Sequence, residues 1–144
     1  MGYVIALANQ KGGVGKTTSS VNLGACLAEQ GQHVSLIDID PQGNATSGTG
    51  ISKATIEQDV YHVLIDETPI KDVIMKTVHD GLDIVPTTIQ LSGSEIELTS
   101  MMARETRLKD AIDSVQDTYE HLFIDCPPSL VSFTINAFTD IALI

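Results

Sequence analysis

Two lysines bracket a run of glycines near the start of the chain: Lys11-Gly12-Gly13-Val14-Gly15-Lys16-Thr17-Thr18. Glycines at such density let successive backbone N–H groups turn inward and wrap phosphate oxygens, and a helix starting straight after adds its positive end. At this spacing Lys16 reaches the β- and γ-phosphates and the Thr17 hydroxyl ligates Mg²⁺. The ordinary pattern would put glycine at position 10; here Gln10 stands there and a second lysine, Lys11, fills the next place. Further along, Asp38 and Asp40 close the apolar run His33–Asp40, and Asp125 nearly closes a second run, His121–Cys126. Phosphoryl transfer spreads charge over equatorial oxygens, and two lysines plus Mg²⁺ would stabilise it.

The elements that must position these groups alternate. Tyr3–Asn9 reads as a strand buried on both faces, Gln10–Gly15 as a turn, and Lys16–Gln30 as a helix stopped by Gly31. His33–Asp40 is a second strand and Pro41–Gly50 a polar loop. Gln58–Ile65 and Ile70–Thr77 have the spacing of two short helices split by Pro69, and Leu82–Pro86 is a strand. Leu91–Met102 and Arg104–Val115 are helical, His121–Cys126 is a strand, Leu130–Phe138 a helix, and Asp140–Ile144 opens a last strand. Apolar strands alternating with helices predict an α/β fold with a mostly parallel sheet covered on both faces. Ligands of such folds bind beyond the C-terminal ends of the strands, where the glycine loop, the Asp38/Asp40 pair and Asp125 all fall.

Composition excludes several classes. The 144 residues carry 8 Lys+Arg against 19 Asp+Glu, a net charge of −11. Residues 1–54 hold Lys11, Lys16 and Lys53 against Glu29, Asp38 and Asp40, so the whole excess lies in residues 55–144. That balance argues against nucleic acid as a direct partner of this stretch. A hydrophobic content of 42% excludes a disordered chain. Two cysteines, Cys26 and Cys126, make neither a disulfide framework nor a zinc set, and both are expected in the apolar core. The four histidines lack metal spacing, and the acids from Glu95 to Glu120 fit a solvated helix face. Met1-Gly2-Tyr3 runs into an apolar segment with no basic region, unlike a signal peptide, and no run approaches a membrane span.

Lys11–Thr18 resembles the deviant Walker A motif of the ParA/MinD class of ATPases. Asp38-Ile39-Asp40-Pro41-Gln42-Gly43-Asn44 is similar to the next motif of the ParA/Soj branch, and Phe123-Ile124-Asp125-Cys126-Pro127-Pro128-Ser129 to its Walker B segment. The resemblance implies a P-loop NTPase-like, three-layer α/β/α fold, with residues 1–144 as the N-terminal portion of a single ATPase domain of the AAA/CobQ-CobB-MinD-ParA type. It implies ATP/ADP and Mg²⁺ as ligands. Lys16 and the backbone of Gly12, Gly13, Val14, Gly15, Thr17 and Thr18 would hold phosphates, and Thr17 and Asp125 would serve the metal. Lys11 would reach phosphates on the partner subunit of an ATP-dependent homodimer, and Asp40 would position the attacking water.

The same resemblance implies chromosome or plasmid partition, a ParB-like partner protein, and a bacterial, cytoplasmic, nucleoid-associated location without membrane binding. Family members are close to twice this length. The second half would supply the remaining strands, most of the adenine pocket and the contacts to nonspecific DNA. At the C-terminal end the pattern departs from the family: Val131 stands where glycine is common, and Thr139 adjoins Asp140 where two small residues usually intervene. Two other readings compete: a nucleotide-binding or interaction module without turnover, and a MinD-like membrane-cycling ATPase. The Asp-Pro-Gln-Gly-Asn stretch disfavours the latter. A reductase sharing an iron–sulfur cluster is rejected, because neither cysteine lies in a glycine-rich loop.

Overall fold

The computed structural model describes residues 2–8, 16–40, 42–88, 104–126 and 142–143; at 8, 16–19, 104–106 and 142–143 it describes the backbone alone. The strands are β1 (Tyr3–Ala8), β2 (Val34–Asp38), β3 (Met75–Lys76), β4 (Leu82–Val85), β5 (His121–Cys126) and β6 (Ala142–Leu143). The helices are α1 (Lys16–Glu29), α2 (Asn44–Gly48), α3 (Val60–Ile65) and α4 (Arg104–Asp113), with single 3₁₀ turns at Lys53–Thr55, Ile70–Asp72 and Gln116–Thr118.

One sheet runs in the order β3-β4-β2-β5-β1-β6. Every pairing is parallel except the antiparallel edge pair β3/β4. The central strands β2 and β5 are buried along nearly their whole length, which is why their sequences read as continuous apolar runs. Alternation divides their side chains between two cores. Leu36 and Phe123 join Leu7, Val21 and Ala28 on the α1 side. Ile37, Leu122, Ile124 and Cys126 join Val63 and Leu64 of α3 and Leu108 and Ile112 of α4 on the other. Helices therefore cover both faces, giving the expected three layers. Gly31 ends α1 with a φ of +86°, the left-handed conformation that suits glycine at a helix stop.

Three expectations need correcting. The polar loop at Pro41–Gly50 contains the short helix α2, whose Ala45 and Thr46 are fully buried. Ile70–Thr77 is one 3₁₀ turn followed by strand β3. The reason lies downstream: Asp80-Gly81, with Gly81 at φ +87°, turns the chain back on β4, so that Met75 pairs with Ile84 and Lys76 with Asp83. Cross-strand pairing outweighs the weak helical spacing. Cys26 is exposed, whereas Cys126 is buried as expected. The buried stripe of α1 runs through Val21, Gly24 and Ala28, and Cys26 falls outside it. The turn at 10–15 and the helices at 91–102 and 130–138 lie outside the described residues.

Candidate functional site

Parallel pairing brings the two acidic strand ends together. Asp38 of β2 stands in register with Asp125 of β5, and Ile39 N–H donates to the Asp125 carbonyl at 3.1 Å. Both carboxylates are fully buried at the C-terminal edge of the sheet. β1 lies on the other side of β5 and ends level with it, Leu7 beside Asp125 and Ala8 beside Cys126. The glycine-rich residues 11–15 follow β1 in the sequence and precede α1.

Asp38 is held from the loop that follows it. Its Oδ2 accepts from Thr46 N–H at 2.9 Å and from the Thr46 hydroxyl at 2.7 Å, while Oδ1 accepts from Asp40 N–H at 3.1 Å. Burial nevertheless dominates: removal from water, reinforced by the Asp125 charge, pushes the Asp38 carboxyl up to about 7 against the opposing pull of those hydrogen bonds. Two carboxylates confined at one buried edge favour the arrival of a cation. The oxygen-only donor chemistry suits a hard divalent ion such as Mg²⁺. No group of three or more His, Cys, Asp or Glu comes together among the described residues.

Asp40 sits half-buried one turn beyond. Its Oδ1 accepts from Gln42 N–H at 3.0 Å and its carbonyl from Gly43 N–H at 2.9 Å. Gly43 has a φ of +66°, and a Cβ there would lie 2.6 Å from Lys53 Nζ. That amine donates to the Gln42 carbonyl at 3.0 Å, clasping the loop from outside. Of the residues expected to form the site, Asp125 is brought beside Asp38, whose part the sequence left open, and the Asp40 amide is bonded to Asp38. The side chains of Lys16, Thr17 and Thr18 at the start of α1, and all of Lys11, Gly12, Gly13, Val14 and Gly15, lie outside the described residues.

Other contributors escaped sequence reasoning. Thr46 and Thr87 are fully buried, and Thr87 N–H donates to the Thr46 hydroxyl at 3.1 Å. Thr88 donates through N–H and hydroxyl to Asp59 Oδ2, at 3.0 and 2.5 Å. Asp59 had a signal of its own, an acid directly before an apolar helical run. The threonines had none, because hydroxyl residues after a strand read as ordinary loop.

Residues 2–144 match the family model described as an AAA domain. The sporulation initiation inhibitor protein Soj of Bacillus subtilis is 59% identical over 139 residues, covering 96% of this chain and 55% of Soj. The chromosome partitioning protein ParA of Caulobacter vibrioides is 49% identical over 138 residues, covering 94% and 52%. The chain thus spans about half the length of the curated relatives it matches. A structure of cobyrinic acid a,c-diamide synthase from Mycobacterium smegmatis with bound ADP and magnesium superposes with a TM-score of 0.88 at 37% identity, covering 99% of this chain and 59% of that one. The buried acid pair at the sheet edge, the motif order and these likenesses agree: the chain belongs to the AAA domain family and, within it, to the ParA/Soj group.

Proposed function

We propose that these 144 residues form the nucleotide-binding part of a single P-loop domain of a partition ATPase, which binds and hydrolyses ATP with Mg²⁺. The observation that carries the reading is the Asp38–Asp125 edge, with the Asp40 amide bonded to Asp38 and β1, which precedes the glycine-rich residues in the sequence, paired beside β5. In this reading the backbone of Gly12–Thr18 and the Lys16 amine bind the phosphates, and Lys11 reaches those of a second subunit. Thr17 and Asp125 serve the metal, whose charge when bound offsets that developing on the phosphate oxygens. Asp40, on a loop fixed from both sides, orients the attacking water. ATP-dependent pairing of two copies, response to a ParB-like protein, and contact with nonspecific DNA through residues outside this chain complete the cycle. The family resemblance supports these steps, as does the 59% identity to Soj. Among the described residues no helix is long and apolar enough to cross a membrane.

The test is a titration of ATP·Mg²⁺ into the 144-residue chain, with turnover measured with and without DNA and a ParB-type protein. Binding followed by hydrolysis is expected, raised by the ParB-type protein and unchanged by DNA alone, whose contacts lie outside this chain. Asp40→Ala should keep binding and lower turnover by about 100-fold, as loss of a group acting only in the transition state does. Binding without hydrolysis would leave a nucleotide-dependent interaction module, and no binding at all would overturn both.

A further inference from the structure

The loop that carries Asp40 is tied to the sheet by a buried chain of hydroxyl contacts. Asp38 at the end of β2 accepts two hydrogen bonds from Thr46. The Thr46 hydroxyl, whose O–H donates to Asp38, accepts from Thr87 N–H in the segment that leaves β4. All three residues are fully buried. The segment is itself fixed: Pro86 O accepts from Val60 N–H at 2.8 Å, and Thr88 donates twice to Asp59. The Thr46 hydroxyl is therefore the joint at which the Asp40 loop, strand β2 and the end of β4 meet.

We propose that Thr46 and Thr87 are positioning residues for the reaction, setting where Asp40 lies relative to the strand ends. The inference rests on the ATPase reading above for its consequence in turnover, but its structural content stands apart from it. A hydroxyl is required because one atom must donate to a carboxylate and accept from an amide at once. Valine has the same shape and can do neither. With Thr46→Val the Thr87 N–H and one lone pair of Asp38 are left buried without their partner, and the loop must shift to satisfy them. Serine restores both contacts.

The test compares Thr46→Val and Thr46→Ser with the unaltered chain in three measurements: affinity for ATP·Mg²⁺, kcat, and amide hydrogen exchange at Asp40, Gln42 and Thr87. Thr46→Val should leave affinity within about threefold and lower kcat about 10- to 100-fold, the range seen when an outer-shell partner is removed. Exchange at the three amides should quicken at least tenfold. Thr46→Ser should recover most of both. If the chain proves to bind ATP without turning it over, the ATPase reading fails while the exchange arm still decides this one. Unchanged exchange at Asp40 and Gln42 in Thr46→Val overturns the proposal. Should that variant not fold, the unaltered chain decides it: Thr87 N–H must exchange as slowly as the amides of β4, and exchange at open-loop rates overturns it.

Discussion

Asp38 shows how one residue can hold two opposing influences. Three hydrogen bonds favour its charged form, yet burial beside Asp125 wins and raises the carboxyl to about 7. An acid held above its unfolded value binds its proton more tightly in the folded state, so the folded state is favoured at low pH. That contribution is complete below about pH 4, fades as pH rises, and is gone above about pH 7. Its slope cannot exceed one proton, about 1.4 kcal/mol per pH unit. We therefore expect the thermal midpoint, followed by far-ultraviolet circular dichroism, to fall between pH 5 and pH 7.5 more steeply in the unaltered chain than in Asp38→Asn. Equal slopes would show that Asp38 does not titrate in this interval. From sequence, Asp38 stood as a strand-end acid whose part was open. The sequence shows that it ends a strand, but not that β5 lays a second acid, Asp125, beside it.

At the scale of elements, the long apolar runs were legible and the short pieces were not. β1, β2, β4 and β5 emerge within one or two residues of their sequence readings because a strand buried on both faces must be apolar throughout. α2 is five residues long and owes its place to a buried threonine, so no periodicity could announce it. α3 is only one residue longer, but it has a cap. Asp59 Oδ1 accepts from Tyr61 N–H at 3.0 Å, and Asp59 N–H donates to His62 Nδ1 at 3.1 Å, closing a capping box. The same carboxylate takes two hydrogen bonds from Thr88, so it joins α3 to the end of β4. Removing it combines a lost cap, about 1 kcal/mol, with a buried amide left without its acceptor, about 1–3 kcal/mol. Asp59→Ala should lower the urea midpoint by what corresponds to about 2–4 kcal/mol at unchanged m. A loss below about 1 kcal/mol would mean that α3 is held by its apolar face alone.

At the scale of the molecule, what the sequence withheld was order in space. It yields alternating strands and helices, and hence three layers, but not that β5 inserts between β1 and β2. That insertion makes Asp125 a neighbour of Asp38 and carries Phe123 into the core beneath α1. Phe123 is the largest fully buried side chain among the described residues, so Phe123→Ala should cost about 3–5 kcal/mol in urea unfolding, a large share of a domain's total.

Charge is the other property that belongs to the whole. A net charge of −11 on 144 residues repels itself in the compact state. Among the described residues few ion pairs offset it. Lys109–Asp113, at 2.5 Å, is exposed on both sides, and Arg107–Glu67 spans 4.0 Å to an exposed acid. Such pairs contribute little, so their screening by salt costs little. The long-range repulsion is different, because its range contracts from tens of ångströms to less than ten as ionic strength rises from about 0.01 to about 0.15 M. Screening should therefore stabilise the chain. We expect the thermal midpoint to rise by roughly 3–5 °C over that change at fixed pH, the equivalent of about 1 kcal/mol in a domain of this size. The rise should be the same in Phe123→Ala, whose lost packing is indifferent to salt. A midpoint that falls with salt would mean that local pairing of opposite charges, and not the net excess over residues 55–144, governs the electrostatics of the fold.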